Sequence, residues 1–243
     1  MLGEQRPEVI VELVRSGRVT EERVDESVRR LLREKFTLGL FEKPYVDPDR
    51  AEETVGAGEF TALGEAAQRR SLTVLTNHGL LPLEGRPNLY VRGISEQAAA
   101  AYGNVVADPV DADLADLAVL RLRTPHEERP GLFESFFHSG SPAFPEDELK
   151  EILRLLDAVP TLVCVKLERP AVLPEIAAKA AALVADYGAS DAALLDVAFG
   201  RARAQGRLPF ELPRPISAVE ASRPDVPDDA EDPVFPYGHG LNL

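Results

Sequence analysis

The chain of 243 residues has one cysteine, Cys164, so no disulfide can form within it, and redox context stays open. It has no run of eighteen apolar residues, which excludes a membrane-spanning helix. Basic residues are in deficit: 27 Lys and Arg stand against 41 Asp and Glu, a formal net charge of −14. Such a chain repels phosphate backbones and anionic membrane surfaces, and its cations gather on no single stripe. Nucleic acid and membrane are therefore not the expected partners. No internal repeat and no low-complexity tract is found. The opening, Met1 to Arg6, is polar and lacks the apolar stretch of a secretory leader, so the expected compartment is the cytoplasm. The four histidines, His78, His126, His138 and His239, show no ligand spacing. Neither a metal nor another cofactor is expected.

Apolar residues make up 44% of the chain, enough for a substantial core. Pro7 suits the first position of a helix with Ile10, Leu13 and Val14 on one face and Ser16-Gly17 as its stop. Thr20 caps a second helix, striped by Val24, Val28, Leu31 and Leu32. Two short amphipathic helices form no core alone and must pack on something else. From Phe41 to Glu53, two prolines and many charges predict an extended linker. A further helix is expected over Glu59 to Arg70.

Beyond it the rhythm changes. Apolar runs occur at Leu72–Leu75, Leu89–Val91, Leu117–Leu120, Leu162–Val165 and Ala182–Ala185. Helical patterns such as Glu146–Leu156 and Asp191–Phe199 lie between or after them. Continuous apolar runs alternating with helices predict an α/β fold with a mostly parallel sheet covered on both faces. Cys164 reads as a small buried hydrophobe on a strand, with no basic neighbour beside it in the sequence. Ser190 and Asp191 read as a helix cap, since no Gly-x-Ser-x-Gly elbow is present. The final thirty residues are rich in proline and acid. Their end, Pro236-Tyr237-Gly238-His239-Gly240-Leu241, predicts a tight backbone path.

Four segments in this order resemble glycoside hydrolase family 3. The first is Arg23-Val24-Asp25-Glu26-Ser27-Val28-Arg29-Arg30-Leu31-Leu32-Arg33-Glu34-Lys35-Phe36, with Leu38-Gly39-Leu40-Phe41 and Pro44-Tyr45-Val46-Asp47. The second is Arg70-Ser71-Leu72-Thr73-Val74-Leu75-Thr76-Asn77 with Gly79-Leu80-Leu81-Pro82-Leu83, where Thr76 stands in place of a common lysine. The third runs from Tyr187-Gly188-Ala189 through Asp196-Val197-Ala198-Phe199-Gly200 to Gly206-Arg207-Leu208-Pro209-Phe210, and the fourth is the Pro-Tyr-Gly-His-Gly-Leu ending. The resemblance implies residues 1–40 as the helical end of a (β/α)8 barrel, with Gly3-Glu4 its last remnant before the helix. It implies 41–56 as the linker and 57–243 as a six-stranded α/β sandwich. It also implies a truncated β-glucosidase-like chain, because the family's nucleophilic aspartate lies upstream of the first segment.

Retaining glycoside cleavage needs two carboxyl groups about 5–5.5 Å apart, one attacking and one donating a proton. In many members of the family the second domain supplies the proton donor from a loop. The matching loop here is Arg123-Thr124-Pro125-His126-Glu127-Glu128-Arg129-Pro130-Gly131. The resemblance makes Glu127 the first candidate acid/base, Glu128 the second and Glu134 the third, with Arg129 and His138 as sugar-binding groups. Adjacent glutamates on a loop are also an ordinary solvated patch. The run Leu132 to His138 reads either as a sugar platform or, more readily, as packing against another domain. Arg169-Pro170 reads as a structural turn. The implied partners are a carbohydrate substrate and a separate barrel domain, or further copies of the chain through an exposed interface.

Overall fold

A computed structural model describes residues 5–106, 115–223 and 225–242, and the Glu134 side chain, the third candidate acid/base, lies outside what it describes. Gly3 and Glu4 lie outside the described residues. The chain divides into two compact units, 1–58 and 59–243.

The described residues of the first unit hold three helices. Helix α1 spans Pro7–Arg15 with Pro7 in its first turn. Helix α2 spans Glu21–Thr37, and its Thr20 hydroxyl accepts the Arg23 N–H. Neither helix fully buries a residue: Leu13, Val14 and Val24 are half-buried, and Ile10, Val28, Leu31 and Leu32 are exposed. The segment expected to be an extended linker contains a helix, α3, at Pro48–Thr54. Its cause is local: Asp47 caps the amides of Asp49 and Arg50, and Pro48 has its φ preset for a first turn.

The second unit begins with helix α4, Gly58–Ser71, and then forms a six-stranded sheet. Its strands are β1 (Thr73–Asn77), β2 (Asn88–Arg92), β3 (Asn104–Val106), β4 (Leu117–Arg123), β5 (Thr161–Lys166) and β6 (Ala182–Asp186). Their order is β1-β6-β5-β4-β2-β3, and every pairing is parallel except β1 with β6. Helices α5 (Glu96–Ala100) and α8 (Asp191–Ala198) pack together, as do α6 (Glu146–Ala158) and α7 (Pro174–Lys179). The core is correspondingly double. One layer joins Leu72, Val119, Leu162 and Val184 to Ala99, Leu194 and Leu195, and the other joins Leu120, Val163 and Leu183 to Ile152 and Ile176. Successive side chains of β4, β5 and β6 enter opposite layers, so these strands are mostly apolar, and their charged residues, Arg121, Arg123, Lys166 and Asp186, fall toward their carboxyl ends. This is the α/β sheet expected from the sequence.

Strand β7 (Leu212–Pro213) pairs antiparallel with β8 (Pro233–Phe235), and helix α9 (Ile216–Ala221) lies between them in the chain. The closing segment returns to the sheet. The Leu241 amide donates to the Val74 carbonyl at 2.8 Å, and His239 Nε2 lies 2.8 Å from the Leu75 carbonyl. A Cβ on Gly240 would fall 2.5 Å from the Gly206 carbonyl oxygen, so the ending takes the narrow path expected of it. Among the described residues no helix is long and apolar enough to cross a membrane.

Candidate functional site

Parallel strands open their carboxyl ends toward one edge of the sheet, where α/β folds place their ligands. The loop of residues 124–141 leaves β4 at that edge. Its neck is closed by pairing between Glu127 and Ser139, whose backbone groups bond at 2.8 Å. The Arg169 guanidinium then grips the neck. Its Nη1 donates to the Gly140 carbonyl at 2.9 Å, and its Nη2 to those of Pro125 at 2.5 Å, Ser141 at 3.2 Å and Ser139 at 3.3 Å. Burial pushes the Arg169 pKa down, and the charge of Glu127 partly offsets that. Arg169 thus belongs to the turn its sequence suggested, and it also fastens the loop.

The expected site residues fall into two groups. Glu127, Glu128 and Arg129 share a hollow of about 220 Å³ with His126, Ser135 and Phe137. Glu127 Oε1 accepts the Ser141 N–H at 3.1 Å, and its carboxyl packs where a Cβ on Gly140 would stand. Glu128 is exposed, and its carboxylate has no partner among the described residues. His138 does not line this hollow. Its Nδ1 contacts Glu168, whose other oxygen lies 3.0 Å from Lys166 Nζ. The bonds from Lys166 and His138 hold Glu168 below the usual carboxylate range.

The histidines are not all scattered, as their sequence positions suggested: His126 and His138 stack with ring centroids 3.9 Å apart. The loop closes on itself through the Glu127–Ser139 pairing, and sequence separation hides that approach. No cluster of three or more His, Cys, Asp and Glu suited to a metal occurs among the described residues. The apolar run projects outward: Leu132 is 87% exposed, Phe136 75% and Phe133 72%.

A second polar cluster lies under the sheet edge, and it was not anticipated. Asp186, at the end of β6, is fully buried. Its Oδ1 accepts the amides of Gly188 at 2.6 Å and Ala189 at 3.0 Å. Its Oδ2 accepts from Arg121 Nη2 at 2.9 Å, Arg121 Nε at 3.1 Å and the Cys164 thiol at 3.3 Å. Arg121 Nη1 reaches Asp191 at 2.7 Å. Burial lowers the Arg121 pKa, but the neighbouring Asp186 outweighs it and the net shift is upward. Cys164 therefore has a basic neighbour after all: Arg121 stands opposite it on β4. Burial first, then Asp186, still pushes the thiol well up, so it stays protonated and inert as expected. The visible signal was an arginine within the apolar run of β4, a charge that a buried strand carries only with a partner.

No family model matches the chain. It is 47% identical over 244 residues to the probable β-glucosidase C of Aspergillus flavus, covering 99% of this chain and 38% of that protein. It is 41% identical over 237 residues to the periplasmic β-glucosidase/β-xylosidase of Dickeya chrysanthemi, covering 96% of this chain and 36% of that one. Among solved structures, a β-glucosidase from Listeria innocua matches 96% of this chain and 40% of its own, with a TM-score of 0.67 at 19% identity. The chain thus spans little more than a third of the length of these curated relatives.

Proposed function

Because the chain belongs to glycoside hydrolase family 3, where it matches the C-terminal α/β domain, we propose that it supplies the proton-donating part of a β-glucosidase-like exo-glycosidase. The observation that carries this is the 47% identity sustained over 99% of the chain. The nucleophilic carboxylate comes from a (β/α)8 barrel domain, and residues 1–40 and 41–56 are the barrel's helical end and the linker to residues 57–243. The substrate is a terminal β-linked sugar.

In the first half-reaction the barrel carboxylate attacks the anomeric carbon while an acid of the 124–141 loop protonates the departing oxygen. In the second, the same group takes a proton from water, which displaces the enzyme. Glu127 and Glu128 carry this role between them. Glu128 has the free carboxylate and delivers the proton, while Glu127 fixes the loop through Ser141 and keeps its neighbour at the hollow. Arg129 and His138 bind sugar hydroxyls. The compartment is the cytoplasm in this reading, although the Dickeya relative is named as periplasmic. Fractionation of the native cells checks it.

The test is a nitrophenyl β-glucoside assay on two proteins: this chain alone, and a chimera in which it replaces the matching part of the Aspergillus flavus protein. The chain alone is expected to be silent and the chimera active. Glu128→Gln in the chimera lowers turnover by about 10²–10⁴-fold. Azide, which attacks without needing a general base, restores it. Turnover by the chain alone, unchanged in both Glu127→Gln and Glu128→Gln, would refute the proposal.

A second reading is favoured by the exposed Leu132, Phe133 and Phe136: a non-catalytic module that binds carbohydrate or assembles with a separate barrel or with itself. Light scattering across concentration separates the two. A monomer at all concentrations removes the self-association reading.

A further inference from the structure

The sheet reverses its winding between β2 and β4. From β2 the chain crosses to β3 on one side, whereas β4, β5 and β6 follow one another on the other. A crevice outside the strand ends at such a reversal is where open α/β sheets take ligands. Here that position holds a cavity of about 490 Å³, lined by Gly93, Arg121, Leu122, Arg123, Lys166, Gly188 and Ala189. It is separate from the hollow around Glu127 and Glu128.

Three features suit this cavity to an anion. Its lining carries three cationic side chains and no acidic one, in a chain whose net charge is −14. The charges are not equally spent. Arg121 is committed to Asp186 and Asp191, and Lys166 is shared with Glu168. Arg123 has an exposed side chain with no partner among the described residues. The walls are also kept clear by glycine. Gly93 leaves β2 with φ 77° so close to β4 that a Cβ would meet the Arg121 carbonyl oxygen at 2.2 Å, and Gly188 leaves β6 with φ 106°. The buried Asp186 has its oxygens occupied by Arg121, Cys164 and two amides, so it fixes the cationic floor without lining it.

We propose that this cavity binds a small anion bearing a phosphate or carboxylate, with Arg123 and Lys166 as the groups that hold it and Arg121 as a fixed floor. The volume falls in the range of ordinary small-molecule sites and admits a monosaccharide carrying that group. The anion site stands on the cavity's own residues. Only the saccharide body rests on the glycosidase reading.

Isothermal titration of the whole chain with inorganic phosphate, glucose 6-phosphate, glucuronate and glucose tests both parts without requiring turnover. Saturable binding of phosphate or glucuronate is expected, weakening as salt is raised. Arg123→Gln, at an exposed side chain with no partner to lose, weakens it at least about tenfold, equivalent to 1.4 kcal/mol. Lys166→Gln weakens it as well, whereas Arg154→Gln on the outer face of α6 leaves it unchanged. Tighter binding of glucose 6-phosphate than of phosphate supports the saccharide body, and equal binding removes that part alone. The phosphate and glucuronate arms tell the two anionic groups apart. No saturable binding of any anion, or binding that Arg123→Gln does not alter, overturns the proposal.

Discussion

Asp196 shows how one carboxylate can tie three elements together. It sits on α8, accepts the Tyr102 hydroxyl at 2.6 Å and Arg69 Nε from α4 at 2.7 Å, and Arg201 stacks 4.1 Å from the Tyr102 ring centre. Burial alone would raise its pKa, but the bonds from Tyr102 and Arg69 and the charges of Arg69 and Arg201 outweigh that, and the net shift is downward. A carboxyl whose folded pKa lies below its unfolded one stabilises the fold fully above the unfolded value, about 3.9, and loses that stabilisation as pH falls through the folded value. Urea midpoints measured from pH 7 down to pH 2 should therefore fall in the acid range. Asp196→Asn should cost about 2 kcal/mol at neutral pH and flatten that acid fall. The sequence placed Asp196 in a recognisable segment but could not show its partners. Of the side chains that hydrogen-bond to it, the nearer in the chain, Tyr102, is 94 residues away. Arg121 and Asp186, 65 residues apart, were hidden in the same way.

At the level of the element, readability followed burial and capping. Strands β4, β5 and β6 announce themselves because both of their faces are covered. Strand β3, at the far edge of the sheet, offers only Asn104-Val105-Val106 among the described residues, too little apolar pattern to stand out. Helix α3 carried its signal, an acidic cap followed by proline, but charge and proline content pointed to a linker. Helix α8 was legible at its start, where the Ala193 amide donates to the Ser190 hydroxyl at 3.1 Å. Removing that acceptor leaves an N-terminal amide unpaired at a helix whose inner face is core. Ser190→Ala should cost about 1 kcal/mol in urea unfolding, and Ser190→Asp should retain most of the stability. The 124–141 loop was found by position along β4. Its internal wiring through Arg169 was not, because backbone carbonyls leave no trace in a sequence.

For the whole molecule, the sheet has two borders of different kinds. One is β3, described over Asn104–Val106. The other is β1, five residues long, with Leu241 paired alongside Val74 and His239 against the Leu75 carbonyl. An unpaired flat border of that length is a template on which other chains can add strands. The closing residues thus act as a seal over the vulnerable side of the sheet, and Gly240 lets them pass close beside Gly206 on the way. A chain clipped after Phe235 would retain every strand of the sheet yet lose its protection. It should gain thioflavin-positive aggregates during incubation that the intact protein does not form.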